Sequence, residues 1–278
     1  MNEIILKYKR AMKLHDYNEA TITSYRQHFQ QFLRYFHNTM PEEIPLDDVR
    51  QYILYLVEKK KLSATAQNQS ISSIKFYFNN IIHKPIDDFY LPRPRRPKTI
   101  PKILNEDEVS KILKSIDNLR NRSMIFLLYS AGLSLSELVY LRTTDIDSDN
   151  MKIFVRSAKG DKDRYVVLSE KVLKLLRNYY KIHKPKEWLF ESSPGRRYVK
   201  RNIQKALQIA VKKSGVTKPA TLSILKNSFA VHLLEKGVDI RYIQQMLGHK
   251  HSKTTMKYLR VSKRDLNAIK SPLDNLDV

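Results

Sequence analysis

Apolar side chains recur at three- and four-residue spacing between positions 221 and 262, and this periodicity predicts three short helices. The apolar stripe of the first helix consists of Leu222, Leu225, Phe229 and Leu233, and that of the second consists of Ile240, Ile243, Met246 and Leu247. Gly237 is typical of a helix end, and Asp239 is typical of the N-cap that begins the next helix. Ser252 or Thr254 is expected to cap the third helix.

The same periodicity fills residues 1 to 84, where glycine is absent, and it predicts a helical bundle. We expect helices to begin near Asn18, Pro45 and Ser63. The polar side of the last of these helices includes Thr65, Gln67, Asn68, Ser72 and Lys75. That side is either an ordinary solvated face or a contact surface for a partner.

Residues 85 to 101 differ in composition, because proline recurs there and prevents a regular helix or a central strand. Such a segment is expected to be extended and semi-rigid. Its basic side chains include Arg93, Arg95, Arg96 and Lys98. We interpret it as a basic linker between two domains.

The pattern after residue 102 is mixed. Helical periodicity covers residues 106–116, 120–129, 170–180 and 198–213. Strand-like alternation covers 151–156 and 165–168, with a turn expected at Gly160 and Asp161. The chain as a whole is therefore predicted to be mainly α with a small antiparallel β-sheet.

The net charge of the chain predicts what kind of partner it binds. The 278 residues include 51 Lys and Arg against 28 Asp and Glu, which gives a formal net charge of +23. An excess of this size repels itself unless a polyanion neutralises it, so nucleic acid is the expected partner. Cysteine is absent, which excludes disulfides and thiolate zinc sites. No apolar run is long enough to span a membrane and no signal-peptide pattern opens the chain, so a cytoplasmic location is expected.

Several stretches resemble tyrosine recombinases, the phage-integrase and Xer-like enzymes. The family's C-terminal signature is matched by S-I-L-K-N-S-F-A-V-H-L-L, R-Y-I-Q-Q-M-L-G-H and T-T-M-K-Y. Its first box is matched by G-L-S-L-S-E-L, and its hairpin pattern x-K-G-x-K-x-R is matched by A-K-G-D-K-D-R. The resemblance implies a two-domain DNA clamp, with a helical core-binding (SAM-like) domain at 1–84, the basic linker at 85–101, and a mixed α+β catalytic-type domain at 102–278.

The resemblance also implies the site residues. Tyr258 stands at the position of the nucleophile, Lys159 at that of the hairpin lysine, and His249 at that of a further hydrogen-bond donor. The DNA-binding positions are expected to include Gln67, Asn68, Lys75, Arg93, Arg95, Arg96, Lys98 and Arg260. Neither a metal nor another cofactor is implied.

Three chemical positions depart from the family pattern. Ser134 occupies the position of the first catalytic arginine and is neutral and short. Lys226 occupies that of the second, where it keeps a charge but not the planar two-pronged donor. Ser223 occupies that of the first histidine, and a hydroxyl does not titrate near neutral pH. Arg260, or less readily Arg142, could supply a replacement cation, although the expected role of either is that of a surface residue that grips phosphate.

Three interpretations of function follow. The first is a site-specific double-stranded DNA-binding protein of this family, acting in recombination or integration with impaired strand cleavage. It would assemble as a homo-tetramer on DNA or with an active recombinase. The second is an active recombinase with a rearranged site, which forms a 3′-phosphotyrosyl intermediate through Tyr258. The third is a basic helical protein of unrelated role, which the density of matching motifs disfavours.

Overall fold

The structure is a computed structural model that describes residues 2–37, 39–86, 91–94, 100–156 and 163–262. The chain forms two compact units, Met1–Lys98 and Thr99–Val278. The predicted fold class, mainly α with small antiparallel sheets, is confirmed. The predicted division into a domain at 1–84, a linker at 85–101 and a domain at 102–278 stays a prediction.

The described residues of the first unit form helices joined by loops, with a short 3-10 helix at Pro41–Glu43. Its α-helices are α1 Asn2–Leu14, α2 Glu19–Tyr35, α3 Leu46–Glu58 and α4 Ala64–Asn80. The predicted starts are confirmed. The side chain of Asn18 accepts a hydrogen bond from the N–H of Thr21, and that of Ser63 accepts one from Ala66. These caps satisfy N–H groups that have no partner inside the helix.

The core of the first unit is aromatic. The ring of Phe29 on α2 lies 4.6 Å from the rings of both Tyr8 on α1 and Tyr77 on α4, measured between centroids. The Tyr8 hydroxyl donates to the carbonyl of Ser73 at 2.9 Å, so its polar end is satisfied although the side chain is fully buried. These contacts hold α1, α2 and α4 together.

The second unit places its helices around a small antiparallel sheet. The helices are α5 Glu106–Lys114, α6 Leu119–Ala131, α7 Leu135–Tyr140, α8 Glu170–His183, α9 Lys200–Ser214, α10 Leu222–Glu235, α11 Ile240–Leu247 and α12 Ser252–Met256. The strands are β1 Ile146–Asp147, β2 Lys152–Val155 and β3 Arg164–Val167 in one sheet, and β4 Glu191–Ser193 and β5 Arg196–Arg197 in another. Strands β1, β4 and β5 were not expected. Each has only two or three residues, too few to show an alternation.

The register of the three-stranded sheet turns one charged side chain inward. Val155 of β2 lies opposite Arg164 of β3, and Ile153 lies opposite Val166. These four side chains are all buried, although one of them is an arginine. Because side chains on one strand alternate between its faces, Arg164 shares the inner face with Val166.

Two expectations for the C-terminal helices need correction. Helix α10 is buried on more than one face, because its first half packs into the main core and its second half into a separate cluster with α11. Helix α12 begins at Ser252 with His251 as its N-cap and no side-chain cap, so neither Ser252 nor Thr254 caps it. The expected turn at 160–161 lies outside the described residues.

Gly132 supplies a test of this packing. It ends α6 with φ +62°, and a Cβ there would lie 2.5 Å from the ring of Phe229 on α10. Gly132→Ala is expected to lower the free energy of unfolding by about 2–4 kcal/mol, from backbone strain plus overpacking. Gly215→Ala is the matched control, because Gly215 has φ +70° but open space around it. Equal losses in urea denaturation would contradict this close approach.

Candidate active site

Ser134, at the position of the family's first arginine, begins helix α7. Its hydroxyl accepts a hydrogen bond from the N–H of Glu137 at 3.2 Å, and the Glu137 carboxylate accepts one from the N–H of Ser134 at 2.6 Å. This reciprocal pair is a capping box, which satisfies two N–H groups at the helix start. Ser134 therefore has a structural role of its own.

Glu137 is also half of a buried ion pair. Arg164 Nη1 donates to its second carboxylate oxygen at 2.8 Å, and the two side chains are only 7% and 13% exposed. Arg164 Nε donates to the carbonyl of Met246 at 2.8 Å. Burial by itself raises the pKa of Glu137, but the hydrogen bond from Arg164 and the charge of Lys226 outweigh it and hold that pKa below its usual range. Helix α7, strand β3 and helix α11 are thus joined through one guanidinium.

Gly248 is the glycine of the L-G-H triplet, and its surroundings explain why this position needs a glycine. It ends α11 with φ +67°, and a Cβ at this position would lie 2.7 Å from Arg164 Nη1. Only glycine combines that backbone conformation with the close approach of the guanidinium. His249 follows Gly248 directly, so the ion pair between Arg164 and Glu137 also fixes the position of the His249 backbone.

Lys226 lies on α10, and its side chain reaches the ion pair between Glu137 and Arg164. Its Nζ lies 3.4 Å from the carbonyl oxygen of Leu247 and 4.0 Å from Glu137 Oε2, and its side chain is 17% exposed. Burial lowers the pKa of Lys226, and Glu137 opposes that shift. The position of the family's second arginine therefore still carries a cation, aimed at the helix end that precedes His249.

His249 is held from both sides. Its Nδ1 lies 2.9 Å from the Thr255 hydroxyl, and its backbone carbonyl accepts a hydrogen bond from the side chain of Gln244 at 3.1 Å. Burial, followed by the charge of Lys226, lowers the pKa of His249 to about 4. The imidazole is therefore neutral at pH 7, when it can either donate or accept a hydrogen bond.

Tyr258 lies in a 3-10 helix, Lys257–Arg260, and is 1% exposed. Its hydroxyl donates to Asn227 Oδ1 at 3.0 Å, and its ring stacks on that of His249 with the centroids 6.3 Å apart. Lys257 Nζ lies 4.9 Å from the centre of the same ring. Burial raises the pKa of Tyr258 to about 12, so the hydroxyl keeps its proton at neutral pH.

A cavity of about 430 Å³ lies beside Lys226. Its lining includes Ser134, Ser223 and Lys226, which are the three substituted positions. Two amide side chains of α9, Gln204 and Gln208, also line it. His249 and Tyr258 do not belong to this lining, although the charge of Lys226 helps to lower the pKa of His249. Lys159 lies outside the described residues, so the convergence of all the predicted residues on one pocket stays a prediction.

The predicted DNA-binding residues of the first unit are partly engaged within that unit. Asn68 and Lys75 are buried at 7% and 8% exposure, and the Asn68 amide donates to the carbonyl oxygens of Ala64 and Pro94. The Gln67 amide donates to the Leu62 carbonyl at 2.6 Å. Arg93 donates to the hydroxyl of Ser72 at 2.9 Å. These side chains therefore do not form a purely solvated face.

The remaining cations divide into two groups. Arg95, Arg96 and Lys98 lie outside the described residues. Arg260 is exposed at the end of the 3-10 helix that carries Tyr258. Arg142, the weaker candidate for a replacement cation, instead packs on Trp188 and lies 4.0 Å from the carboxylate of Glu187.

Sequence reasoning missed four residues of this site. Glu137 was matched only as part of the framework, and Arg164 only as the last letter of the hairpin pattern, although an arginine in phase with a buried strand face was a usable signal. Asn227 and Lys257 were missed because the sequence pattern does not show that either side chain contacts that of Tyr258. Asn227 lies 31 positions earlier in the chain, and the contact of Lys257 depends on the turn of the 3-10 helix.

Comparison with known proteins identifies the class. A sequence model of the phage integrase family matches residues 102–265, and one of the phage integrase N-terminal SAM-like domain matches residues 4–88. The chain therefore belongs to the phage integrase family, the tyrosine recombinases, and the predicted resemblance is confirmed.

Two relatives show how far the similarity extends. The putative integrase/recombinase y4qK of Sinorhizobium fredii is 37% identical over 267 residues, which cover 95% of this chain and 86% of that protein. The tyrosine recombinase XerA of Pyrococcus horikoshii is 34% identical over 272 residues, which cover 95% of this chain and 91% of that protein.

Solved structures share the fold. A crystal structure of XerA recombinase is 31% identical, with a TM-score of 0.54 over 92% of this chain and 93% of that chain. A lambda integrase dimer bound to a COC′ core site has a TM-score of 0.76 at 18% identity, over 97% of this chain and 99% of that chain.

Neither a metal site nor a membrane span is found among the described residues. No group of three or more His, Cys, Asp and Glu side chains in residues 2–37, 39–86, 91–94, 100–156 and 163–262 is arranged to hold a metal ion. Over the same residues, no helix is both long and apolar enough to cross a membrane.

The buried ion pair generates a stability prediction. Glu137→Gln is expected to lower the free energy of unfolding by about 3 kcal/mol or more, because it leaves the Arg164 guanidinium buried without its counter-ion. The matched control is Asp117→Asn, which removes the 2.6 Å pair between Asp117 and Lys213 on the surface and should change stability little. If the two variants unfold at the same urea concentration, the pair does not organise the unit.

The pKa of His249 predicts a pH dependence. The pKa of His249 is about 4 in the folded chain, whereas its ordinary value is 6.5. Between pH 4 and pH 6.5 the imidazole is therefore protonated in the unfolded chain and neutral in the folded chain. The contribution of His249 to stability is therefore complete above pH 6.5 and is lost as the pH falls towards 4. His249→Gln does not titrate, so its free energy of unfolding should fall less steeply over this window. Parallel curves for the two proteins would contradict a buried neutral imidazole.

Proposed function

We propose that this chain is a site-specific, double-stranded DNA-binding tyrosine recombinase homologue with impaired strand cleavage, acting in DNA recombination or integration. The single observation that carries the proposal is the composition of the cavity at the candidate site. Where the family has two arginines and a histidine, its lining has Ser134, Lys226 and Ser223. One cation and two hydroxyls replace two guanidiniums and an imidazole.

Attack on a phosphodiester places negative charge on the non-bridging oxygens, so the rate depends on fixed donors around that phosphate. Ser134 is tied into a helix cap, and Lys226 offers a single point charge that Glu137 partly offsets. Tyr258 keeps its proton, because burial raises its pKa to about 12 and Asn227 accepts its hydrogen bond. Each feature slows the formation of a tyrosyl–phosphate bond.

DNA binding is supported by charge and by the relatives. The net charge of +23 favours electrostatic binding to a polyanion such as DNA. Solved structures with this fold include a lambda integrase tetramer bound to a Holliday junction and XerH site-specific recombinase bound to difH substrate. By analogy, this chain would act as a homo-tetramer on DNA or beside an active recombinase.

A second candidate is an active recombinase that cuts through Tyr258 with a rearranged site. The observation in its favour is that Tyr258 keeps cationic and aromatic neighbours, with His249 stacked on its ring and Lys257 at 4.9 Å. These groups could serve the nucleophile if the hydroxyl were released from Asn227.

The deciding experiment restores the missing groups. Duplexes that the protein binds are selected from a random pool, and the selected site is placed in a suicide substrate that traps a covalent protein–DNA adduct. The triple variant Ser134→Arg, Ser223→His and Lys226→Arg should form adduct at least about 10³-fold faster than the unchanged chain, because each lost donor costs on the order of 10² to 10³ in rate and the residues act as a unit.

Two controls complete the test. The Ser134→Arg change also removes a helix cap, which costs about 1 kcal/mol, so each variant's thermal unfolding is measured beside its rate. Tyr258→Phe in the triple variant should abolish the adduct and leave DNA affinity nearly unchanged. Fast adduct formation by the unchanged chain, not improved by repair, would favour the second candidate. Failure to select any duplex would remove the DNA-binding proposal itself.

A further inference from the structure

An exposed stack of aromatic rings and guanidiniums lies on the second unit, and the candidate active site does not use it. The aromatic–arginine stack consists of Tyr140, Arg142, Trp188 and Arg197. Arg197 Cζ lies 4.1 Å from the ring centre of Tyr140 and 5.3 Å from that of Trp188. Arg142 Cζ lies 5.2 Å from the Trp188 ring, and the two aromatic rings meet edge to face at 5.9 Å.

Backbone contacts hold the stack in place. The N–H of Leu189 donates to the carbonyl of Leu141 at 2.8 Å, and Arg142 and Trp188 form a β-bridge. The buried carboxylate of Glu191 accepts hydrogen bonds from the N–H groups of Glu187 and Trp188, at 2.8 and 3.1 Å. The loop that carries Trp188 is therefore fixed to the end of α7 on one side and to β4 on the other.

The stack combines order with exposure. Tyr140 is 43% exposed and the Arg142 side chain is 48% exposed, and Arg197 is exposed as well. Among the described residues, Glu187 lies 4.0 Å from Arg142, whereas no carboxylate lies within ion-pair distance of Arg197. A guanidinium packed on an aromatic ring has already lost part of its rotamer freedom, and when it is exposed it can still donate N–H hydrogen bonds to a partner. Such a group suits an oxyanion that accepts two parallel hydrogen bonds.

The stack adjoins the candidate active site through α7. This helix begins after Ser134 and ends at Tyr140, and six residues of α-helix span roughly 9 Å. Between the two ends, Lys200 Nζ donates to the hydroxyl of Ser136 at 2.8 Å, which ties the start of α9 to α7. A DNA strand that passes Ser134 therefore has cations along α7 within a few nucleotides, since phosphates along one strand rise about 3.4 Å per step.

We propose that the aromatic–arginine stack is a binding site for the DNA phosphate backbone, with Arg197 as the residue that contacts phosphate. The inference rests on the proposed DNA binding and adds a site that the sequence motifs do not contain. Tyr140 and Trp188 act as positioning residues, because their ring centres lie 4.1 and 5.3 Å from Arg197 Cζ and limit the movement of the guanidinium. The contact is with phosphate, so it contributes affinity and register but no base preference.

The test compares two adjacent arginines. Arg196 and Arg197 are both exposed on β5, and neighbouring residues of a strand point to opposite faces, so Arg196→Ala removes the same charge from the other side. Binding of a short mixed-sequence duplex is measured by fluorescence anisotropy between about 50 and 200 mM KCl. Arg197→Ala should weaken binding about fivefold or more and reduce the slope of log affinity against log salt by about one, whereas Arg196→Ala should change both less.

A second readout separates positioning from charge. Trp188→Leu and Tyr140→Leu keep every cation, so each should weaken binding about three- to fivefold with the salt slope unchanged. Tyr140→Leu also covers the case in which Trp188→Leu fails to fold. Trp188 is the single tryptophan of the chain, so its emission should change when the duplex is added to the unaltered protein.

The outcomes distinguish this inference from the proposed function. A chain that binds duplex weakly, with little salt dependence, would remove the proposed DNA binding and this site with it. Steep salt dependence with equal effects of Arg196→Ala and Arg197→Ala, or tryptophan emission unchanged at saturation, would overturn the stack as a phosphate site while DNA binding stands. In that case the exposed rings would instead suit contact with another protein.

Discussion

The ion pair between Glu137 and Arg164 is the interaction around which the second unit is organised. Arg164 extends inward from a strand, and its guanidinium bonds to a carboxylate on α7 and to a carbonyl on α11. Such a pair is not in itself a source of stability, because the cost of desolvating two charges can cancel their attraction. Its effect is geometric. Each partner would be buried alone if the elements moved apart, so α7, β3 and α11 keep one arrangement.

That arrangement fixes the backbone around Ser134 and His249. Ser134 stands at the start of α7 because Glu137 completes its capping box, and His249 follows Gly248 because only glycine fits against Arg164. Neither position depends on an arginine at 134 or a histidine at 223. Local capping and packing therefore account for the backbone at both positions. Lys226 retains a charge beside the ion pair, but as a point charge it lacks the paired donors of a guanidinium.

Four cations of the second unit illustrate two kinds of environment. Lys226 and Arg164 are buried beside a carboxylate, where their charges are compensated and their side chains are held. Arg197 and Arg142 pack on aromatic rings and remain exposed to solvent. The first kind shapes the protein, whereas the second is available to a partner. A count of charges in the sequence does not separate them, because the difference lies in what each side chain packs against.

The sequence by itself determined the helices with strong caps and stripes. Asn18, Ser63 and Asp239 cap helices where their spacing to the next apolar residue predicted, because a cap is a local interaction over three residues. The family motifs identified the class for the same reason, since their letters stand close together.

Only the tertiary structure decided which polar groups meet. Tyr258 bonds to Asn227 from 31 positions away, Arg164 reaches Glu137 across 27, and Arg197 stacks on Tyr140 through a hairpin of two- and three-residue strands. Local periodicity carries no information about such pairs, because they form only when separate elements pack into one core. For that reason the chain revealed its family in its sequence, whereas the partners of its charged and phenolic groups became known from the fold.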